Sequence, residues 1–489
     1  MNTPLTTTDF LAILPEIIVF GMGMVVVLFD LFGRGRGINN LAYLSILTLG
    51  VAGYAEWMLW NQDLAGWSGT ITADNFSIAF EAVFIVVGIL TVLISIRYLE
   101  NIGLAHGEYY ALILFATGGA MIMASGRDLL LIFIGLEILS ISSYILCGMI
   151  QSDHRSNESA LKYFLLGAFA TGFLLYGMML LYGATGSITL EGIRMALTNK
   201  ANFTNPYVWF GLGFILVGFS FKIALVPFHM WTPDVYEGAP TAVTAFLSTG
   251  PKAAGFAALI RVLVDGLWPT HAHWEPVLWV LAALTMTVGN VLALQQDNIK
   301  RMLAYSSISH AGYILVALVA GGSQALGGII FYSMGYALMT FGAFAVLILA
   351  SQRGEDRVTF KDFAGFGYLE PGLALMMFVF MLSVAGIPLT VGFAGKFQIF
   401  KAAVDQGLIW LTVIGVLNSV ISIYYYLRMV VVMYMQPPTA QSIPRRPGIS
   451  LSLYTALGLS MAGVLWLGVF PTSWLAVSLE SVSTLAFWK

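Results

Sequence analysis

The sequence predicts an all-α polytopic membrane protein with about fourteen transmembrane helices. Three observations predict it. Of 489 residues, 58% are hydrophobic and only 10% are charged, with a mean hydropathy of +0.85. Apolar runs of about twenty residues, the length that crosses a bilayer as a helix, recur from one end of the chain to the other. Segments of about ten residues with alternating polarity, the mark of an outer-membrane barrel strand, are not seen.

The runs fall at roughly 11–32, 40–60, 76–97, 108–125, 128–150, 160–184, 207–229, 241–263, 274–295, 300–320, 324–350, 371–401, 408–434 and 450–472. The first is not expected to be a cleaved signal: no Lys or Arg precedes Arg34, and Asp9 and Glu16 flank or enter it. Glu16, Asp30 and Glu81 fall in spans 1–3, Glu137 near the middle of span 5, and Glu158 at the opening of span 6. Span 7 carries Lys222 and then Pro227, with His229 and Trp231 beyond. Span 8 carries Gly250-Pro251-Lys252, and span 10 opens on Lys300-Arg301 and holds His310. Span 12 is interrupted at Pro388 and carries Lys396 beside Gly392 and Gly395, which are expected to leave room for water. The connections at about 185–206, 351–370 and 435–449 are the longest and hold no soluble domain.

Composition removes several function classes. One cysteine, Cys147, excludes an intrachain disulfide and a CxxC metal or cluster site. Neither a GxxxxGK[ST] loop nor a strand–GxGxxG–helix unit occurs, so nucleotide binding is not expected. Carboxylates are too few for a metal cage, and no Ser, His and Asp are set for bond chemistry. The net charge of −3 says nothing about partners.

Thirteen Lys and Arg fall in loops after odd-numbered spans: Arg34, Arg36, Arg97, Arg155, Lys162, Lys300, Arg301, Arg353, Arg357, Lys361, Arg428, Arg445 and Arg446. Six lie on the other side: Arg127, Arg194, Lys200, Arg261, Lys401 and Lys489. The excess predicts cytoplasmic odd-to-even loops and both termini outside. Spans 4–8 and 9–13 are five each, and the fourth of each set has an internal Pro and a Lys. An odd-numbered repeat places its second copy upside down, the plan of many transporters, with the site at the broken helices 7 and 12. The expected divisions are 1–105 (spans 1–3), 106–270 (first repeat), 271–436 (second repeat) and 437–489 (span 14 and C-terminus).

The remaining basic residues, Lys222, Lys252 and Lys396, are the strongest signal. A charge at mid-bilayer costs about 2.5–3.5 kcal/mol on insertion scales, so such residues usually face a polar cavity or an ion pathway. Each could instead be a structural ion-pair member or could snorkel, but all lie too deep for an easy reach. Glu137 either stays protonated against a neighbouring helix or pairs with Lys222, favouring the charged form of both. His310 is either simply hydrogen-bonded or a relay. Lys300 reads first as an inside anchor, second as part of a path. Glu16 and Asp30, near helix ends, are expected to be solvated or paired. Glu158 either favours its helix N-terminus or signals charge to a neighbouring subunit. Trp231 reads as an ordinary interfacial Trp. Together these groups predict proton translocation, and nothing in the chain captures ATP or light energy to drive it.

GFSFKIALVPFHMWTPDVYEGAPTAVTAFLS (218–248), GPKAAGFA (250–257), NIKRMLAYSSISHAGY (298–313), SVAGIPLTVGFAGKFQIF (383–400) and DHRSNESALKYFLLGAF (153–169) resemble the antiporter-like subunits of respiratory complex I over essentially the whole chain. Of the three types in that family the chain resembles type N most. The L and M types carry HxxxHxxxK in span 11, where this chain has Tyr332, Tyr336 and Thr340, and it stops soon after span 14, without the long lateral helix of type L. The resemblance implies a proton path through Glu137, Lys222, Lys252, Lys300 and Lys396, to which His310 is added here as a substitute for the missing span-11 histidines. It also implies quinone reduction elsewhere as the driver. FMN, iron–sulfur clusters and the quinone site are then in other subunits, with no cofactor in this chain. The implied partners are the other membrane-arm subunits and the lipid bilayer, not nucleic acid, in a bacterial inner membrane. A cation/proton antiporter subunit of the multisubunit type, and the equivalent subunit of the photosynthetic complex in a thylakoid membrane, are the alternatives.

Overall fold

The computed structural model describes residues 6–33, 37–104, 106–351, 357–439 and 450–485. Arg34, Arg36, Arg353, Arg445, Arg446 and Lys489 lie outside the described residues. Twelve of the described helices are long and apolar enough to cross a membrane. The count of fourteen spans becomes twelve such helices and two shorter apolar ones, because spans 7 and 12 are each split.

In chain order the helices of the bundle are α1 (Leu14–Gly33), α2 (Ile38–Leu59), α3 (Asn75–Ile102), α4 (Gly107–Ser125), α5 (Leu129–Cys147), α6 (His154–Thr185), α7 (Pro206–Lys222), α8 (Trp231–Gly238), α9 (Thr241–Ile260), α10 (His271–Ala293), α11 (Ile299–Ala320), α12 (Gly322–Ala350), α13 (Pro371–Ala385), α14 (Val391–Asp405), α15 (Ile409–Met435) and α16 (Leu451–Val469). A two-stranded antiparallel ribbon, Leu64–Gly66 with Ile71–Ala73, lies between α2 and α3. Polar N-caps start several spans: Asp74 accepts from the Ser77 amide, Asp128 from Leu130 and Leu131, and Asn298 from Arg301.

Each run forms a helix because hydrocarbon offers the backbone no other hydrogen-bond partner. The two interruptions come from proline. Pro227 and Pro388 have no N–H to donate and clash with a continuing turn. The chain leaves α7 through Ala224 at φ 59° and enters α14 through Leu389 at φ 69°. Non-glycine residues adopt this left-handed region only where surroundings hold them there. The freed backbone is re-satisfied by side chains: Trp231 Nε1 donates to the Phe221 carbonyl at 3.1 Å, and the Val226 amide donates to Thr285 Oγ1 at 3.0 Å. Trp231 is thus not interfacial as expected. It is 2% exposed and stacks on Tyr163 with centroids 4.4 Å apart.

The packing repeats between the two expected sets of five. In the first set α4 packs on α5, α5 on α6, α6 on α7 and α8, and α9 on α4, α5, α7 and α8. In the second set α10 packs on α11, α11 on α12, α12 on α13 and α14, and α15 on α10, α11, α13 and α14. The order of neighbours is the same, with the split helix fourth in each. Glycines make the close approaches. A Cβ at Gly392 would collide with the Ser383 carbonyl, and one at Gly395 with the Tyr332 ring. These two glycines seat α14 against α13 and α12, and do not leave room for water as expected.

Burial is graded outward. The apolar windows of α9 and α12 are 100% buried and that of α11 is 94% buried, whereas those of α1, α2, α6, α10, α15 and α16 are 28–39% buried. The outer helices therefore present the apolar face to lipid or partner subunits, and α9, α11 and α12 form the centre. At one end of α9, Arg261 is wholly buried and not a loop residue as its sequence position suggested. It donates to Asp74 at 2.5 Å, Asp265 at 3.1 Å and the Ala124 carbonyl at 2.9 Å. Arg127 reaches the other Asp74 oxygen at 3.1 Å. Lys300 and Arg357 are buried too, so two residues leave one side of the loop count and one the other, and its asymmetry stands.

Burial raises the Asp74 carboxyl, but Arg261 and Arg127 outweigh it and hold it below its ordinary value of 3.8. A depressed folded-state pKa contributes stability above the unfolded value that is lost as pH falls through the folded one. Asp74→Asn leaves Arg261 buried with Asp265 as its one carboxylate partner here. Removing one member of a buried pair is expected to cost about 3–5 kcal/mol, read as a lower midpoint of thermal unfolding in detergent. The loss is expected to shrink on acidification, as the wild-type carboxyl also becomes neutral.

Candidate functional site

The intramembrane lysines sit where helices end or break. Lys222 is the last residue of α7 and donates from Nζ to Ser140 Oγ of α5 at 2.8 Å. Lys396, in α14, donates to the Val384 and Ala385 carbonyls at 3.1 and 3.0 Å and to Ser419 Oγ at 3.0 Å. Those carbonyls end α13, so the ammonium lies at the negative end of a helix dipole. Gly386, at φ +89°, turns the chain there, and a Cβ on it would press on the Lys396 stem. Lys300 does the same for α8: its Nζ donates to the Ala239 carbonyl at 2.6 Å. Lys252 follows Pro251 inside α9, donates to Ser307 Oγ of α11 and lies 5.9 Å from the centroid of the Tyr236 ring. The four are 2–5% exposed. None snorkels, and Lys300 is not a surface anchor.

Glu137 and Lys222 do not form the direct pair considered above. Glu137 is three residues before Ser140 in α5, so the two share a face. Its Oε1 is buried without a hydrogen-bond partner, while the carboxyl is near enough to act on the Lys222 ammonium through its field. Ser140 holds the ammonium instead. The Lys222 stem passes Gly255, where a Cβ would touch Cγ at 3.4 Å, and Gly255 is three residues from Lys252 on α9. His229 Nδ1, Thr232 Oγ1 and Thr241 Oγ1, from the break after α7 to the start of α9, are also buried without a hydrogen-bond partner. Buried polar atoms without a protein partner are ordinarily hydrated.

From Lys252 to Lys396 the polar contacts are nearly continuous. Ser307 holds Lys252, and its neighbour Ser306 bonds the Tyr426 hydroxyl of α15. Tyr426 is 3.1 Å from His310 Nε2, and Tyr332 of α12 is 2.5 Å from His310 Nδ1. Tyr425 donates to Asn290 Oδ1 at 2.8 Å, its hydroxyl lies 3.3 Å from that of Tyr426, and Asn290 donates to Tyr313 at 3.2 Å. The Tyr313 ring faces Lys396 Nζ, 4.9 Å from its centroid. Hydroxyls donate or accept by rotation, and imidazole can take a proton at one nitrogen and lose it at the other. Sequence reasoning missed Ser140, Ser306, Ser307, Asn290, Tyr313, Tyr425 and Tyr426. Uncharged groups on apolar helices carry no signal before the helices are packed, although the tyrosine run of ISIYYYLRM is a local hint.

One end of the bundle bears an ion network. Lys162 bridges Glu158 at 2.6 Å and Asp234 at 2.7 Å, and Arg301 bridges Asp234 at 2.7 Å and Glu237 at 3.0 Å. Burial raises the Asp234 carboxyl, but Lys162 and Arg301 together hold it below its ordinary value. A polar pocket of about 240 Å³, lined by Arg155, Glu158, Ser159, Asp234, Glu237, Gly238 and Arg301, opens there. Gly238, on its wall, precedes the carbonyl that holds Lys300. No group of three or more His, Cys, Asp or Glu among the described residues is placed to hold a metal ion.

Residues 126–422 match the family model described as NADH:quinone oxidoreductase/Mrp antiporter, TM. The chain is 47% identical over 476 residues to NADH-quinone oxidoreductase subunit N of Trichlorobacter lovleyi, covering 97% of each chain. It is similar to a chain in the structure of respiratory complex I from Thermus thermophilus with bound aureothin, at 36% identity and a TM-score of 0.80, covering 94% of this chain and 98% of that one. A chain of the Mrp complex from a Dietzia species has a TM-score of 0.85 at 22% identity, covering 98% of each, and this likeness shows the fold alone.

If the lysines are held as described, a membrane-impermeant amine reagent applied from both sides is expected to modify exposed Lys200 and Lys401 and to spare Lys222, Lys252 and Lys396. Mass spectrometry of the labelled chain reads the result. Labelling of the three at comparable rates contradicts the burial.

Proposed function

The chain belongs to the NADH:quinone oxidoreductase/Mrp antiporter transmembrane family, and from that premise we propose that it is a proton-translocating subunit, of type N, in the membrane arm of a bacterial NADH:quinone oxidoreductase. Lys222, Lys252, Lys300, His310 and Lys396 carry the proton path, and Glu137 tunes it. The observation that carries this reading is the line of ammonium, hydroxyl and imidazole groups from Lys252 to Lys396, which runs from the buried helices α9 and α11 along the buried sides of α15 and α10 to α14.

Protons enter at the pocket beside Asp234 and Arg301 and reach Lys300, held behind it on Ala239. Lys252 exchanges with this entrance past the unpartnered hydroxyl of Thr241. A proton then crosses on the Ser306–Tyr426–His310 contacts, passes Asn290 and Tyr313, and reaches Lys396, which hands it to the far side. The Glu137 field favours the charged form of Lys222. A charge arriving or leaving near Glu137 changes that preference and moves the Lys222 proton. His310, flanked by Tyr332 and Tyr426, stands in for the span-11 histidines of the related types. Energy comes from quinone reduction in other subunits, which hold the flavin and iron–sulfur clusters. The chain is multi-pass in the inner membrane, with both termini outside by its loop charge.

The family model also takes in Mrp antiporters, which leaves a second reading, a subunit of a multisubunit cation/proton antiporter. Sodium-dependent proton exchange by the purified assembly, with no flavin or clusters copurifying, supports that reading over the first.

In the assembled enzyme, Lys222→Ala and Lys396→Ala are each expected to slow proton transfer through this chain about 10²-fold. Proton-to-electron stoichiometry in proteoliposomes falls, while NADH oxidation by an artificial acceptor is unchanged. Unchanged stoichiometry in both variants contradicts the assignment. Tyr426→Phe removes the hydroxyl between Ser306 and His310 at constant ring volume, and is expected to lower pumping less than either lysine change, with thermal stability within about 1 kcal/mol of wild type.

A further inference from the structure

The first three helices bury a second set of ionisable groups that the lysine path does not use. Glu16, Glu56 and Glu81, from α1, α2 and α3, are 2%, 3% and 2% exposed. Glu16 was expected to be solvated or paired, and Glu56 carried no signal in its apolar run. All three lie toward one end of the bundle. Glu16 is in the first turn of α1, Glu56 in the last turn of α2, and Glu81 roughly 10 Å along α3 from its start. Ser125, the last residue of α4, donates to Glu16 Oε1 at 2.9 Å. The Glu56 and Glu81 carboxyls are within hydrogen-bonding reach of each other, and Glu16 is close enough to act on both through its field.

Two ionised carboxylates are acceptors only, so a hydrogen bond between them needs a proton on one. The Glu56 Oε1 atom is buried and has no hydrogen-bond partner, so this carboxyl keeps a further acceptor unsatisfied by the protein. Among the described residues, the basic side chains on these helices and on those packed against them are Arg97, Lys252 and Arg261. Arg97 pairs with Glu100 at the other end of α3, Lys252 is held by Ser307, and Arg261 is bound by Asp74 and Asp265. None forms an ion pair with the three carboxyls. Hydrocarbon does not hold uncompensated charge, so the compensation comes from a cation that is not a side chain. The three are not placed as a metal-ion group.

We propose that Glu16, Glu56 and Glu81 form a proton-binding site apart from the lysine path, with one proton shared between Glu56 and Glu81. The proton sits on one carboxyl oxygen and is donated to the other, and it exchanges with water at the near membrane face. The site needs no contribution from Lys222, Lys252 or Lys396, so it stands or falls independently of them.

The test is infrared spectroscopy of the complete assembly in lipid, in H2O and after transfer to D2O. The wild type is expected to show a protonated-carboxyl C=O band that shifts to lower frequency in D2O. Glu56→Gln and Glu81→Gln are each expected to abolish that band, with electron transfer unchanged. The same band in both variants as in wild type overturns the proposal. A spectrum that changes on adding sodium at constant pH, with no D2O shift, also overturns it, because a metal cation then occupies the site. Should the variants fail to assemble, a hydrophobic carbodiimide applied to the wild type decides. It reacts with protonated carboxyls: adducts mapped to Glu56 or Glu81 support the proposal, and labelling confined to other carboxyls of the assembly contradicts it.

Discussion

An ammonium group inside hydrocarbon must be solvated by something other than bulk water, and the architecture follows from that requirement. A continuous helix offers it no acceptor, because every backbone carbonyl is engaged within the helix. A helix that stops mid-membrane exposes carbonyls at its C-terminal end, where the dipole is negative. The chain supplies such ends by breaking two spans with proline. Lys396 takes the end of α13 directly, Lys300 takes the end of α8, and Lys222 closes α7 with its charge at that helix's last turn. The remaining acceptors are serines: Ser140, Ser307 and Ser419.

The same requirement explains the sorting of helices. Helices with a lipid face carry a line of polar side chains only on the side turned inward, as α15 does with Tyr425 and Tyr426. The three without one, α9, α11 and α12, carry Lys252, Lys300, Ser307, His310 and Tyr332. Tyrosine suits that location because its ring fills apolar volume while its hydroxyl serves a hydrogen bond. The rings around His310, at 4.9 Å for Tyr336 and 5.9 Å for Tyr332, both pack the core and line the contact chain. The acidic and basic groups of Arg261, Asp74, Asp265 and Arg127 are arranged differently. They form closed pairs at one end of α9, which suits them to anchoring the first repeat against α3 and not to conduction.

Much of this was legible in the sequence. The apolar runs gave the helices, Pro227 and Pro388 marked the split spans, and the deep lysines named their own importance, because each is costly without a polar neighbourhood. What failed to show depended on packing. Whether Glu137 meets Lys222 depends on the rotation of α5, and in the structure the ammonium is held by Ser140 instead. Gly392 and Gly395 look like space in one dimension but are contact points once α12 and α13 are in place. Arg261 looks like a loop residue until Asp74, 187 positions away, folds against it. Glu56 is one acidic letter in an apolar stretch, and its meaning comes only from Glu81 across the helix interface.

The central claim is that a hydrated, proton-conducting seam runs past the buried lysines. The most direct measurement is an electron-microscopy map of the assembled enzyme in lipid, at a resolution that shows ordered water. The account predicts water bridging Lys222 to Lys252 past His229 and Thr241, and water reaching Lys396 beyond Tyr313. Aliphatic side chains packed without water across both intervals contradict it.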